Sequence, residues 1–557
     1  MLQLGIRGLG IARFKFNPIS WFLKGEPGAW YDPRDLTTLF QDSAGTIPVT
    51  AVGTGADQPV GLMLDKSKGL ALGAELVVNG GPFVNTTGWT SGRAALLSVV
   101  SGVLRATNNT NAPWGQAYQA FTTVVGKTYK VTVSVTNPTT TFDILIGSTG
   151  PEAGLLYNGS NKTAGTYTLF FTATTTTSYL TIGNSGVAAG DSFDLVSATV
   201  KEIAGNHAFQ ATAGNRPVLS ARVNLLTKTE DFSDGVWGKP DGALSITGGV
   251  SDPLGGSTAF TLTTSAVNQR FSQLSGLSNI SASVWIRRRT GSGAIGLFNG
   301  TAWPALAITS DWKLFSVSGG SLFSLYLSAS GDAFDVWHPD VRPTNSGALL
   351  PAYQRVNTAS DYDTVGFPLY LKFNGTSSMM STNSIDFSST DKMTVVTGYS
   401  MSNAVTYAHI LNLGDALQGS APGGFWFSNT NTPRLSMVYQ LSGDVSSYGG
   451  YGWLVGDPPI PLGVGNVFSA VMDGAGTTYA TSMPYIKNQV TNSNWAANGT
   501  VQAPVGTFGN LPLFIGRAFT TTFNGQFYGA IIRGAQSDTA SVTQTEQYMA
   551  QKTGISF

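Results

Sequence analysis

In the stretch "TYKVTVSVTN", apolar and polar positions alternate strictly. Tyr129, Val131, Val133 and Val135 fall on one side, and Lys130, Thr132, Ser134 and Thr136 on the other. A period of two marks a half-buried β-strand, because successive side chains of an extended chain point to opposite faces. The pattern returns in "NISASVWIRRR", which sends Ile280, Ala282, Val284 and Ile286 inward and Trp285 and Arg287 outward. Apolar runs such as "YTLFFTATTTTSYLTIG" alternate with Gly-, Asn- and Ser-rich turns, which predicts antiparallel β-sandwiches. Helix signals occur in two places. At the C-terminus, Ser541 and Gln544 form a capping-box pattern, Lys552 sits in the last turn and Gly554 stops the helix. Near the N-terminus, "GAWYDPRDLTTLFQDSAG" predicts a helix of about ten residues, with Asp32 as cap, Pro33 first and Asp35 in the first turn. Such a helix is marginal alone. Its apolar face, Leu36, Leu39 and Phe40 with Trp30 and Tyr31 leading in, must therefore pack on something else.

An internal duplication organises the middle of the chain. "ELVVNGGPFVNTTGW" matches "VNLLTKTEDFSDGVW" in its apolar run, its Phe and its closing Trp, and "GDSFDLVSATV" matches "GDAFDVWHPDV" at nearly the same spacing. The predicted order is an N-terminal segment 1–73, a β-sandwich 74–205, a linker 206–222, a second sandwich 223–355 and a third β unit 356–557. Trp89, Trp237, Phe193 and Phe334 recur in both copies and are expected in the cores.

Composition narrows the function classes. Hydrophobic residues make up 42% of the 557, and charged ones only 11%. Lys plus Arg and Asp plus Glu number 31 each, so no global field draws the chain to nucleic acid or an anionic membrane. The first 24 residues are a local exception, with Arg7, Arg13, Lys15 and Lys24 and no acid. Arg7 and Arg13 interrupt the apolar N-terminus, so a signal peptide is not expected. No apolar run approaches the roughly 18 residues of a membrane span. Cysteine is absent, which excludes disulfides and thiolate metal sites.

Three segments carry a family resemblance. The repeated "NLLTKTEDFSDGVWGK" and "ELVVNGGPFVNTTGW", closed by "FDVWHPDV" and "FDLVSATV", resemble carbohydrate-binding-module-type jelly rolls of bacteriophage structural proteins. "LYLKFNGTSSMMST", "SIDFSSTDKMTVV", "PLFIGR" and "FNGQFYGAIIRGAQS" resemble the concanavalin A-like, laminin-G-type domain of phage tail and fibre proteins. "GAWYDPRDLTTLFQDSAGTIPVTAV" resembles the segment that precedes such domains. The resemblance implies a mainly β virion protein, assembled in the host cytoplasm and projecting as a homotrimer. Residues 1–73 would anchor it to other virion proteins through Trp30, Tyr31, Leu36, Leu39 and Phe40, and the sandwiches would bind host surface polysaccharide. A head-decoration fibre and a polysaccharide-degrading tail spike are the alternatives. The resemblance also implies a structural calcium near Asp194 and Asp335, which close the two repeats, although each supplies one carboxylate where calcium takes six to eight oxygens.

Chemistry-bearing residues are few. Histidine occurs only at 207, 338 and 409, with no G-x-S-x-G elbow, and no pair of acids stands out as a glycosidase dyad. "VVGKTYK" lacks the first glycine of a phosphate loop and reads as a hairpin entry. "IRRR" reads as a solvated strand end or an inter-subunit ion-pair site. The chain is therefore expected to be non-enzymatic, without a cofactor. Binding candidates are aromatics in Gly-, Asn- and Pro-rich settings, where an exposed ring can stack on a sugar: Trp114, Trp303, Tyr448, Tyr451 and Trp453. For any one of them, covering a sandwich edge or a subunit contact is the first expectation.

Overall fold

The computed structural model describes residues 16–50, 57–111, 114–274, 276, 279–343, 353–403, 408–414, 422–429, 435–443, 450–453, 462–488, 493–494, 505–518 and 521–555. They form three antiparallel β-sandwiches, each with its own hydrophobic core.

The first sandwich packs a six-stranded sheet, centred on Thr128–Thr136 and Ser192–Ile203, against a five-stranded one containing Phe142–Gly150, Thr177–Asn184 and Gln116–Thr122. The alternation in "TYKVTVSVT" holds: Tyr129, Val131, Val133 and Val135 are buried and the residues between them half-buried or exposed. The second sandwich repeats the plan with a five-stranded sheet around Ile280–Thr290 and Ala333–Pro343 and a three-stranded sheet. Ile280, Ala282, Val284 and Ile286 line its core as the pattern requires.

The duplication extends to single hydrogen bonds. Trp89 and Trp237, both buried, donate their indole N–H to the carbonyls of Asn79 and Lys228 at 2.9 Å each. Both acceptor residues are left-handed, with φ of 53° and 51°. Gln119 clamps the amide unit of Val78 from both sides, and Gln273 does the same to Thr227.

The third sandwich is assembled from three separated parts of the chain. Its two nine-stranded sheets include Tyr370–Asn374, Lys392–Met401 and Asn524–Arg533 on one side and Met380–Asp386 and His409–Leu413 on the other. Gly28–Tyr31 pairs with Asn524–Arg533, and Leu39–Phe40 pairs with Leu62–Met63. The stretch expected to be a free linker supplies Ala208–Phe209 and Val218–Ser220, which pair with Met380–Asp386 and Tyr370–Asn374. Ala29, Tyr31, Leu39, Val60, Met63, Ala208 and Leu219 lie in one core with Phe373, Tyr399 and Phe527. Both jelly rolls are thus excursions from this body: the chain leaves it near residue 64 and returns near 208, then leaves near 221 and returns at Val356.

The ten-residue helix expected after Asp32 does not form. Gly28–Tyr31 is extended, one 3-10 turn covers Leu36–Thr38, and Leu39–Phe40 is again a strand. Local helix signals lose to the ladder with Asn524–Arg533 and to burial of both faces, since all four residues of Gly28–Tyr31 are buried. Asp32 caps nothing of that kind; its carboxylate takes Lys552 at 2.5 Å and Lys66 at 3.5 Å. Trp30 meets Tyr548 of the C-terminal helix edge to face, and Phe40 packs on Phe170 of the first jelly roll. The C-terminal helix, Thr539–Thr553, starts three residues earlier than the capping box suggested. Asp538 accepts from the Ser541 amide, and Gly554 closes the helix at φ 75°.

Candidate functional site

In the five-stranded sheet of the first jelly roll, Thr90–Gly92 runs along Gln116–Thr122 with Gly92 opposite Gln116. Just outward stand Arg93, next to Gly92, and Trp114, two residues before Gln116, which this register brings close together. The Arg93 guanidinium lies over the Trp114 ring, 5.1 Å from its centroid. Its Nε donates to Glu152 Oε1 at 2.6 Å, its Nη2 bonds Glu152 Oε2, and Gln116 Nε2 donates to the same carboxylate. The hydrogen bond from Arg93 holds the Glu152 carboxyl below its ordinary value. Trp114 itself is 44% exposed. The result is an indole face beside a planar, charge-assisted array of donors and acceptors, which suits a ligand with an apolar face and a hydroxylated edge.

The backbone here is costly. Arg93, Ala94 and Trp114 have φ of 49°, 57° and 70°, in the left-handed region that costs a residue with a Cβ about 1–2 kcal/mol. Two buried asparagines hold it in place. Asn108 Oδ1 accepts from the Gly115 amide at 3.0 Å while its Nδ2 donates to Gly186, and the Asn184 amide donates to the Gly115 carbonyl at 2.9 Å. The duplication supplies a control. Five residues before the clamping Gln273 of the second jelly roll stands Asn268, as Trp114 stands before Gln119. Asn268 is also left-handed, at φ 59°. The fold requires this conformation, and the second copy fills it with asparagine, which tolerates it best after glycine. The first copy carries a half-exposed tryptophan there, for which backbone geometry gives no reason.

The other expected binding residues are placed differently. Trp303 lies half-buried over the outer side of the three-stranded sheet, its Nε1 donating to Ser324 Oγ at 3.1 Å and its ring 4.7 Å from that of Phe298. Gly296 lies beneath it, where an added Cβ would come within 2.5 Å of the Trp303 carbonyl oxygen and 2.7 Å of its Cβ, so the backbone of Trp303 sits close on the sheet. Tyr448 lies outside the described residues. Tyr451 and Trp453 fall on Gly450–Trp453, which pairs with Leu435–Tyr439 at the end of a nine-stranded sheet. The five residues expected to dock on a partner are engaged within the chain: Tyr31, Leu36 and Leu39 in the third core, Trp30 against Tyr548, and Phe40 against Phe170.

The acids expected near calcium are held by guanidinium groups. Arg105 grips Asp194 through two bonds of 2.7 and 2.8 Å, with Asn137 adding a third, and these hold the Asp194 carboxyl low. Asp335 accepts from Arg287, Arg289 and Thr261. The arginine partner comes from different neighbouring strands in the two copies, so an ion pair has been retained by different means. These donor sets do not fit calcium, and among the described residues no group of three or more His, Cys, Asp or Glu could hold a metal. His207 is buried and neutral: its Nδ1 accepts from the Asp65 amide, and burial lowers its pKa to about 4.

Sequence reading found Trp114 but not Arg93, Glu152 or Gln116. The available signal was a charged residue inside each of the turn-like stretches "SGRAA" and "TGPEAG", in a chain with few charges.

No family model and no curated protein matches the chain. Among solved structures it is similar to the tandem CBM22-1–CBM22-2 domains of Paenibacillus barcinonensis Xyn10C, at 12% identity and a TM-score of 0.21, over 49% of this chain and 98% of that one. It is similar to domain 4 of AbnA, a GH43 extracellular arabinanase from Geobacillus stearothermophilus solved with arabinotriose, at 13% identity and a TM-score of 0.23, over 33% of this chain and 79% of that one. A heptameric SAP-like pentraxin from Limulus polyphemus gives 11% identity and a TM-score of 0.21, over 33% of this chain and 73% of that one. Likeness at this level transfers no ligand and no activity. The chain is a mainly β protein of antiparallel sandwiches with one C-terminal helix.

Proposed function

We propose that this chain is a glycan-binding fibre protein of a bacteriophage particle, whose first jelly roll engages a host surface polysaccharide through Trp114, Arg93, Glu152 and Gln116. The observation that carries the reading is Trp114, a half-exposed indole kept in a backbone conformation that costs it stability and that its counterpart Asn268 accepts readily. Such expense at one position is characteristic of sites selected for recognition. The phage setting rests on the sequence resemblance, as does the expected trimer. Attachment to the particle we assign to residues 1–15, because Trp30, Tyr31, Leu36, Leu39 and Phe40 already serve the intramolecular contacts described above. Those fifteen residues carry Arg7, Arg13 and Lys15 and no acid.

The test is a glycan array probed with the full chain and with Trp114→Ala. Binding of at least one bacterial surface glycan, weakened tenfold or more by the substitution, supports the reading. Equal binding by both proteins removes Trp114 from the site, and binding to nothing on the array overturns the function. Gold labelling of particles with an antibody to the third sandwich tests the setting: label at a tail tip or on a capsid supports a virion protein, and absence of label refutes it.

A further inference from the structure

The larger sheets of the two jelly rolls can be matched position by position, and one outward group differs in kind. In the first copy Asp194 stands opposite Thr136, and the next outward register places Ser134 opposite Ser197 and Thr166. In the second copy Asp335 stands opposite Arg287, and the next outward register places Trp285 opposite Trp337 and Leu314. Ser134 and Thr166 have become Trp285 and Leu314, and Val196, the bulged residue two positions after Asp194, has become Trp337. The ladder itself does not require them, because the first copy builds it with smaller side chains, although in the second copy Trp285 and Trp312 pack on Trp337, Val250 and Ala259.

Around this group the second copy adds further recognition chemistry. Trp285 and Trp337 meet edge to face with centroids 6.4 Å apart. The guanidinium of Arg287 lies 4.8 Å from the Trp312 ring centroid. The Trp312 indole N–H is buried and has no acceptor among the described residues. Leu314 is 45% exposed, and the side chain of Arg289 is 49% exposed. Arg287 and Arg289 share the single carboxylate of Asp335, leaving one positive charge in excess.

The size and charge of the patch choose its occupant. A stable protein contact covers about 800 Å² per partner around a broad apolar centre. Here Trp337 is 6% exposed, Trp285 and Trp312 are half-buried, and Leu314 is the strongly exposed apolar residue of the group. A narrow indole ledge and a surplus guanidinium fit a sugar ring bearing an anion. We infer that this face is a second glycan site and that it takes an acidic oligosaccharide, a uronate stacked on Trp285 and Trp312 with its carboxylate on Arg289. The inference rests on the glycan-binding reading above and adds a site and a ligand class to it.

The experiment titrates the full chain with galacturonate, glucuronate and mannuronate oligosaccharides, each beside its carboxyl-reduced neutral form, and reads tryptophan fluorescence and heat. The variants are Trp285→Ser, which copies the first jelly roll, and Arg289→Ser, which leaves Arg287 and Thr261 on Asp335. Thermal unfolding of each verifies the fold. The expected result is binding of at least one acidic oligosaccharide, weakened at least tenfold by either substitution and by carboxyl reduction. Failure of all the acidic probes, or wild-type affinity in Trp285→Ser, overturns the inference. So does loss of self-association in Trp285→Ser on sedimentation, which would make the face a contact between copies. If Trp114→Ala abolishes array binding while Trp285→Ser changes nothing, the general reading stands and this site alone falls.

Discussion

Leu39→Ala tests whether the N-terminal segment is part of the third sandwich or an appendage to it. Leu39 is fully buried in the core that also holds Phe373, Tyr399 and Phe527, more than 300 positions later in the chain. Truncating a buried leucine removes its transfer free energy and leaves a cavity, together about 2–5 kcal/mol. If one core unfolds as one unit, every amide that exchanges only by global opening of that core must exchange faster by the same factor, about 30-fold to several thousand-fold. Native-state hydrogen exchange read by mass spectrometry resolves this. Peptides spanning Asn524–Arg533 should accelerate as much as peptides spanning Gly28–Tyr31, while Thr128–Thr136, in the core of the first jelly roll, should keep its protection. Acceleration confined to residues 28–63 would mean that the segment opens by itself, and the shared-core argument would be wrong.

Three further outcomes are expected. Trp114→Asn should change the unfolding free energy by less than about 1 kcal/mol, because relief of left-handed strain offsets the lost contact with Arg93, while glycan affinity falls at least tenfold; a large loss of stability would show that the ring is there for packing. His207 is neutral when folded, with a pKa of about 4 against 6.5 for the free side chain, so the unfolded chain binds the extra proton between those values. Its contribution is complete above pH 6.5 and is lost as the pH falls, by about 2 kcal/mol at pH 5. Burial raises the pKa of Asp65 and works the other way, so the comparison is urea unfolding of His207→Gln against wild type at pH 7 and 5, where equal pH slopes would contradict the assignment. Arg105→Ala should cost about 3 kcal/mol by leaving Asp194 buried and unpaired, and millimolar calcium should not restore it; recovery with calcium would reopen the metal reading.

Strand identity and duplication were readable because they are local or self-referential. The valines of "TYKVTVSVT" report their own alternation, and Trp89 and Trp237 announce each other. What sequence could not show was long-range pairing. "GAWYDP" carries helix-start chemistry at Asp32 and Pro33, yet the conformation of its first four residues is decided by Asn524–Arg533, which no local window contains. The linker around residues 208–220 misled for the same reason: two short apolar runs among Gly, Asn and Pro look like a tether until their partners at 370 and 381 are known. At the candidate site, Trp114 stood out by type and setting. Arg93, Glu152 and Gln116 meet it only through the register of Gly92 with Gln116 and the loop after Phe142–Gly150, and that is information about pairing rather than about residues.

The insertion of both jelly rolls into one body bears on how the molecule carries load. In a string of beads, a pull on the outermost bead passes through every other bead in series, and the weakest one yields first. Here each jelly roll is joined to the third sandwich by two stretches of backbone, one entering and one leaving, so tension applied to a jelly roll divides between two covalent tethers in parallel. The other jelly roll lies off the line of force. A pull on one jelly roll therefore need not load the other.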